Sequence, residues 1–368
     1  MIIRIEDLKE VCSIILTAVD SSDVSKLNDT LELKASNGAL FLNVTNKEYF
    51  AQVKLIMDEK IDFHATVNAS LFLNLVSKTT SNTVELKVKK NVLEFKGNGN
   101  YKLPLIYEDE NILTLPEIKV TNPTKSFEIE SSILHSILKF NSKELTKGII
   151  SRPVQTLYYI DDEGCITFTS GACVNNFKLP EQIKILLSNK VVKLFKLFKE
   201  DKVKFTLGFE SISDSIVQTR VKFEDTKINI SAILPGDSSL ISSVPAKAIR
   251  DRANKIYNYS VTFSREMLSD ALNRLLLFNT KQSANNFRRF VFDKESVMIS
   301  DLDGINKEDV DYINSLNIDE PYSAIFDIFE LKTVLDGYKD EYMIFKFGDN
   351  QAAVLAKNNI LNVIPECE

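Results

Sequence analysis

The chain has 368 residues, too many for one ordinary core, and at about 100–200 residues per domain it holds two or three domains. Hydrophobic residues make up 44% and charged residues 26%, a globular composition that rules out disorder or a collagen-like repeat for most of the chain. Lys and Arg total 45 against 51 Asp and Glu, and the net charge of −6 argues against a generic nucleic-acid binder unless basic residues gather on one face.

The N-terminus, Met1-Ile2-Ile3-Arg4-Ile5-Glu6-Asp7, turns acidic at once and lacks a signal-peptide layout. It opens a pattern that recurs: a short strand of alternating apolar residues, a polar residue, then an amphipathic helix. The copies are Ile3–Leu8, Phe127–Leu134 and Val261–Leu268, with starts about 124 and 134 residues apart. Ser132 and Ser264 are the candidate N-caps, with Asp7 in the first copy. The first helix is expected over Glu6 to Val19.

A hairpin follows each of these segments. Leu31–Lys34 turns at Ser36-Asn37-Gly38 into Leu40-Phe41-Leu42, and Leu157–Ile160 turns at Asp162-Glu163-Gly164 into Ile166-Thr167-Phe168. In the third copy Phe290-Val291-Phe292 turns at Asp293-Lys294-Glu295 into Val297-Met298-Ile299. Asn-Gly and acidic-Gly pairs suit tight hairpins, which need positive φ. A second helix comes next, over about Ala69 to Lys78, Asn189 to Glu200 and Ile328 to Tyr338, each leading into further β-rich sequence. Each third therefore reads as a doubled β-α-β-β-β unit. The expected domains are 1–120, 121–248 and 249–368, with linkers at Leu115 to Thr124 and along the polar run Pro245 to Asn258.

Few residues offer catalytic chemistry. His64 and His135 lie far apart, which disfavours a histidine-built zinc site or relay. Cys12, Cys165, Cys173 and Cys367 form no C-x-x-C pair and read as small buried hydrophobes in a reducing compartment. No run approaches the ~20 apolar residues of a membrane span, so a cytoplasmic protein is expected. Lys96-Gly97-Asn98-Gly99-Asn100 is neither a P-loop nor G-x-G-x-x-G and reads as a hairpin turn. Asp301-Leu302-Asp303-Gly304 has its glycine too early for a calcium loop. No metal, cofactor or catalytic residue is assigned.

The helix near Asn189 is the most informative. At 100° per residue, Val191, Leu194, Phe195 and Phe198 share one side, with Lys193 and Lys196 opposite, flanked by Lys190 and Lys199. On the helix from Ser132, His135, Lys139 and Lys143 form a stripe opposite Leu134, Ile137 and Leu138. Two basic stripes in one third of an acidic chain suit phosphate contacts without base reading. Lys26, Lys78, Arg265 and Arg274 complete the candidate DNA-facing set, although the first and third-domain helices also carry acidic residues.

The whole chain resembles the bacterial and bacteriophage sliding clamp, the beta subunit of DNA polymerase III. The resemblance rests on the triple repeat, the length, and short blocks in order. These are Thr30–Leu33 with Leu40–Thr45, Ala65–Phe72, Ile166–Gly171, Ile233–Asp237, Asn286–Arg289 and Asn362–Pro365. Where the family continues with His-Arg-Leu, this chain has Ala172-Cys173-Val174. The resemblance implies an α+β clamp fold of three tandem domains with helices lining a central channel. It further implies a head-to-tail homodimeric ring around double-stranded DNA, a tether for the replicative polymerase, and placement on DNA by a clamp loader. A partner-peptide groove would be formed by Thr169, Gly171, Val174, Pro235, Leu240, Phe287, Val363, Ile364 and Pro365. The acidic tail Glu366-Cys367-Glu368 would alter its rim. Tyr101 and Leu103 of an edge strand, with Leu277 and Phe278, would close the ring. Two other readings stay open: a carboxylate enzyme using Asp301 and Asp303, and a β-rich structural virion protein.

Overall fold

The computed structural model describes residues 1–20, 27–141, 157–168, 171–213, 216–235, 238–278, 286–349, 351–357 and 360–367. Lys26, Lys143 and Thr169 lie outside the described residues.

The first copy of the repeat consists of β1 (Ile2–Arg4), α1 (Ile5–Leu16), β2 (Thr30–Ser36), β3 (Ala39–Thr45), β4 (Tyr49–Ile56), β5 (Phe63–Asn68), α2 (Ala69–Lys78), β6 (Thr83–Lys89), β7 (Val92–Lys96) and β8 (Asn100–Pro104). A small hairpin, β9 (Tyr107–Glu108) and β10 (Asn111–Ile112), follows. The second copy is β11 (Pro123–Glu130), α3 (Ser131–Asn141), β12 (Leu157–Asp161), β13 (Gly164–Phe168), β14 (Ala172–Asn176), β15 (Lys184–Ser188), α4 (Asn189–Val192), β16 (Lys202–Ser213), β17 (Ile216–Glu224) and β18 (Ile228–Ile233). Helices α5 (Ser238–Ser242) and α6 (Ala246–Ala253) occupy the next linker. The third copy is β19 (Tyr259–Ser264), α7 (Arg265–Leu276), β20 (Phe287–Phe292), β21 (Ser296–Ser300), β22 (Lys307–Asp311), a short β23 (Asn314–Leu316), β24 (Tyr322–Asp327), α8 (Ile328–Gly337), β25 (Tyr342–Phe347), β26 (Ala352–Lys357) and β27 (Ile360–Pro365).

The doubled β-α-β-β-β unit is thus realised three times, and backbone register repeats with it. Arg4 pairs with Thr83, Glu130 with Lys202, and Ser264 with Tyr342, each the last strand residue before a helix. One residue later the first helical N–H finds a carbonyl in each copy: Ile5 to Asn82 at 3.0 Å, Ser131 to Asp201 at 2.9 Å, Arg265 to Glu341 at 2.8 Å. A helix start leaves its first N–H groups without an intrahelical acceptor, and the neighbouring chain supplies one here.

This arrangement corrects two expected caps. Ser264 does cap α7, accepting from Met267 N at 3.4 Å. Ser132, however, lies inside α3 and donates to Glu130, while Asp7 lies inside α1, whose N-cap is Arg4. The first helix also ends early, because the N–H groups of Thr17, Ala18 and Val19 bond three residues back and tighten the last turn. The hairpins match expectation. Asn37 and Gly38 adopt φ of 51° and 76° between β2 and β3, the positive pair of a tight turn.

The chain divides into two compact units, Met1–His135 with Lys190–Leu234, and Ser136–Asn189 with Pro235–Glu368. The first holds a sheet ordered β1-β6-β7-β8 and an eight-stranded sheet ordered β11-β16-β17-β18-β4-β3-β2-β5. The second holds a nine-stranded sheet ordered β15-β12-β13-β14-β27-β26-β25-β19-β23 and a sheet ordered β22-β21-β20-β24. Cys12, Cys165 and Cys173 are buried free thiols, as their surroundings imply, and Cys367 is half-buried.

The core of the second unit is aromatic. Phe292 stacks on Phe347 with ring centroids 4.0 Å apart, beside Phe290, Phe345 and Tyr322. Phe292→Ala should destabilise this unit by about 3–5 kcal/mol through lost transfer energy and a cavity. Urea unfolding followed by tyrosine fluorescence measures it.

Candidate nucleic-acid and partner-binding sites

Around Asn189 the expected single α-helix is not formed. After α4 the chain tightens into a 3-10 helix over Lys193–Leu197. The sequence Val191-Val192-Lys193-Leu194-Phe195-Lys196-Leu197-Phe198-Lys199 explains the change, since lysine recurs every third residue and everything between is apolar. With three residues per turn, i and i+3 eclipse. Lys193 and Lys196 therefore share one exposed edge, while Leu194, Phe195 and Leu197 on the other two edges are buried. Lys199, also exposed, follows past the helix end.

The other basic residues divide by their partners. Lys190 pairs with Asp20 at 2.9 Å and Glu48 at 3.7 Å, so it fastens the second repeat to the first. His135 is half-buried, its Nε2 2.9 Å from the Phe198 carbonyl, and it leaves the basic stripe that sequence spacing suggested. Lys78 and Lys139 are exposed. Arg265 donates to the Asp340 carbonyl at 3.0 Å. Arg274 is held bidentately by Glu308 at 2.6 and 2.8 Å, which offsets its charge locally.

The proposed groove residues gather where β27 of the third copy pairs with β14 of the second. Ala172 lies opposite Val363 and Val174 opposite Leu361. Side chains alternate along a strand, so Leu361 and Val363 face one core with Val174, Tyr159 and Val354. Ile360 and Ile364 face the aromatic core behind the sheet. Ile364, 1% exposed, is therefore placed away from the groove. Val174 is fully buried and forms its floor. Above it, Leu240 of α5, Val363, Phe168 and Ala172 are half-buried, together with Ile241, Ile249 and Tyr257, which sequence reading did not single out. Pro235 is half-buried ahead of α5.

Gly171 sets the spacing of this seam. Its N–H donates to Glu330 Oε1 at 2.7 Å, and a Cβ at this position would lie 2.1 Å from the Val363 carbonyl. Glu330 is in the first turn of α8, whose N-cap Asp327 accepts from Phe329 N at 2.9 Å and Glu330 N at 3.1 Å. Asp327 in turn lies opposite Phe287, which is 39% exposed. Pro365 is half-buried next to Gly171. Beyond Pro365 the tail is docked through Glu366 N to the Gln351 carbonyl at 3.0 Å and Cys367 N to the Ile325 carbonyl at 2.8 Å. Burial raises the Glu366 carboxyl, with Tyr322 OH donating to it at 2.9 Å.

The run Pro245 to Asn258, expected as a linker, contains α6, and its charges are committed. Arg250 grips Asp161 bidentately at 2.6 and 2.8 Å and reaches Glu163 at 3.2 Å. Arg252 pairs with Asp349, which also accepts from Lys255 at 3.1 Å. Burial alone would raise the Asp349 carboxyl, but the amides of Ala352 and Gln351, with Lys255 and Arg252, hold it at about 2. Beside Arg250 opens a cleft of about 630 Å³ whose walls include Glu163, Asn176, Phe177 and Lys178. Asp301, a candidate in the enzyme reading, accepts from Asn306 N at 2.9 Å and Nδ2 at 2.6 Å, which closes the turn before β22.

Of the four ring-closing candidates, Tyr101, Leu277 and Phe278 are exposed and Leu103 is buried. β8 is an edge strand. Tyr101 on it is 44% exposed and packs edge-on against Phe95, whereas Leu103, 2% exposed, belongs to the core of its own repeat. Leu277 and Phe278, at the end of α7, are 80% and 56% exposed.

Neither a protein-family model nor a curated protein matches the sequence. Solved structures match along its whole length. The beta subunit of DNA polymerase III from Thermotoga maritima is 14% identical, with a TM-score of 0.78 over 100% of this chain and 98% of that one. The sliding clamp from Pseudomonas aeruginosa bound to griselimycin is 13% identical, with a TM-score of 0.77 over 100% and 99%. The Bacillus subtilis sliding clamp is 15% identical, with a TM-score of 0.76 over 100% and 98%. The chain has the fold of these sliding clamps. Among the described residues no helix is long and apolar enough to cross a membrane, and no group of His, Cys, Asp and Glu is arranged to hold a metal.

Two outcomes follow from this geometry. Gly171→Ala should part β14 from β27 and cost about 1–3 kcal/mol, the usual range for overpacking, read by thermal denaturation. A carboxyl held at about 2 when folded contributes stability above its unfolded value near 3.9 and loses it as pH falls through 2. Asp349→Asn should therefore flatten the acid limb of the stability curve between about pH 4 and 2, measured by urea melts across that window.

Proposed function

We propose that the chain is a processivity clamp: a head-to-tail ring of identical copies that encloses double-stranded DNA, binds it without reading sequence, and tethers a polymerase without catalysing a reaction. The observation that carries this reading is the rule by which repeats join. The eighth strand of the second copy, β18, pairs with the fourth strand of the first, β4. The eighth strand of the third copy, β27, pairs with the fourth strand of the second, β14. By that rule the eighth strand of the first copy, β8, awaits a fourth strand, and the fourth strand of the third copy, β22, awaits an eighth. Both are sheet edges among the described residues. Each buries its fourth residue, Leu103 and Val310, and exposes both neighbours of that residue. Joining β8 of one copy to β22 of the next continues the pattern and puts Tyr101, Leu277 and Phe278 at the joint. The clamp fold supports closure by two copies.

DNA would meet the lysine edge of the second repeat, Lys193, Lys196 and Lys199, with Lys78 of the same compact unit and, assigned from sequence, Lys139. Lys26 and Lys143 are assigned to the same role from sequence. Weak phosphate contacts suit an enclosed, mobile duplex, because tight ones would pin the ring. The apolar seam of Leu240, Val363, Phe168 and Gly171, with Phe287 and Pro365 at its rim, would take the apolar anchors of a polymerase or loader peptide. The three repeats are assigned to domains 1–120, 121–248 and 249–368, and the protein to the cytoplasm.

On gel filtration the chain should elute near twice 41.7 kDa, and a strict monomer at micromolar concentration would overturn ring closure. Loaded on circular DNA it should be retained, and cutting the circle should release it. Lys193→Glu with Lys196→Glu should shorten retention and reduce the salt slope of DNA binding by about two, at about 0.9 per phosphate contact. An unchanged slope would move the DNA path elsewhere.

A further inference from the structure

We infer that α6 is a bracket held across the β14–β27 seam by Arg250 and Arg252, and that these two are positioning residues for the apolar groove. The inference rests on the groove reading above and adds what keeps the groove in shape.

Helix α6 has weak means of its own. It spans eight residues, well below the ~12–15 at which isolated helices become stable, and its N-cap, Pro245, makes no side-chain capping bond. Its apolar contribution is Ala246, Ala253 and the half-buried Ile249. Two ion-pair anchors, at opposite flanks, compensate for this. Residues two apart on a helix point about 200° apart, so Arg250 and Arg252 reach to different sides. Arg250 goes to Asp161, where side-chain exposure is 11% and 7%. Arg252 goes to Asp349, which is 4% exposed and shared with Lys255.

Both carboxylates are also held by backbone amides of their own turns. Asp161 Oδ1 accepts from Glu163 N at 2.9 Å and Gly164 N at 3.1 Å in the β12–β13 turn. Asp349 Oδ1 accepts from Gln351 N at 3.0 Å and Ala352 N at 2.8 Å between β25 and β26. In the sheet order, β14 and β27 lie between these two hairpins. The bracket therefore spans the strand pair that, among the described residues, joins the second repeat to the third, and that pair carries Val174 and Val363. Ile249 and Ala246 reach the groove core only while both anchors hold.

The test uses the full chain, with griselimycin and a short dye-labelled peptide bearing Leu and Phe anchors as probes. Leu240→Asp, in the groove itself, should abolish binding and so locate the probes. Arg250→Gln and Arg252→Gln should each weaken binding at least tenfold, and should raise hydrogen exchange at residues 246–253. Asp161→Asn and Asp349→Asn keep the Oδ1 acceptor for the turn amides but remove the charge, and should reproduce that loss. Arg250→Lys should fall between, since an ammonium cannot grip a carboxylate bidentately. Lys247→Gln, exposed on the same helix, should bind as the parent does. If the parent binds neither probe, or Leu240→Asp leaves binding intact, the groove reading fails and the bracket fails with it. If the parent binds, Leu240→Asp does not, and the four anchor variants bind like the parent, the groove stands and the positioning role is overturned. A fall in melting temperature with unchanged affinity overturns the positioning role in the same way.

Discussion

Backbone hydrogen bonding between the last strand of one repeat and the fourth strand of the repeat before it is the constraint on which the architecture depends. No repeat is complete in itself, because each has an eighth strand and a fourth strand with one unpaired side. Inside the chain four of these deficits cancel in two pairs, β18 against β4 and β27 against β14. An exposed row of N–H and C=O groups is a template for further pairing, and proteins seldom leave one uncovered without use. The seams fixed this way set where the apolar clusters lie. Phe50 and Ile233 meet Leu113, Leu115 and Ile118 at the first, and Val174 meets Val363 and Leu240 at the second.

The two seams are covered differently. Over the first, residues 113–118 form no helix and insert Leu113, Leu115 and Ile118 directly. Over the second, the linker folds into α5 and α6 and leaves Leu240, Phe168 and Val363 half-buried. The first seam is filled by its own chain, and the second keeps apolar surface within reach of solvent. The Arg250–Asp161 pair, buried and bidentate, and the Arg252–Asp349 pair suit the second case. They hold a helix at a fixed height without filling the space beneath it.

Much of the fold was legible from period and turn chemistry. Alternation with Asn37-Gly38 set the register of the β2–β3 hairpin. The expected second helix, about Ala69 to Lys78, coincides with α2, where Asn68 caps Leu71 N at 2.7 Å. In the run after Asn189 an α-helical period of 100° per residue puts the lysines opposite the apolar side almost as well as period three does; the strict Lys-x-x-Lys-x-x-Lys spacing is the signal for the tighter helix. Helix α6 was hidden by composition: its apolar contacts come from alanines and one isoleucine, and its anchors are charges whose partners, Asp161 and Asp349, lie far away in sequence. The resemblance of Asn362–Pro365 to the family's terminal block implies Ile364 in the groove with Val363, but neighbours on a strand point to opposite faces, and Ile364 joins the aromatic core. His135 and Lys190 resembled free cations until tertiary partners claimed them. Such pairings form only once the chain has folded, so no local pattern announces them.

The two open edges, β8 and β22, are unlike each other, one the last strand of its repeat and the other an interior one. Any assembly closed through them repeats a single polar joint, with every copy oriented the same way around the circle. Such an assembly has rotational symmetry but no two-fold axis lying in its plane. Its two faces are therefore chemically different surfaces, and each groove opens in the same sense relative to them. A duplex threaded through it has no such polarity, since its strands run antiparallel. The protein alone would therefore define front and back for whatever binds.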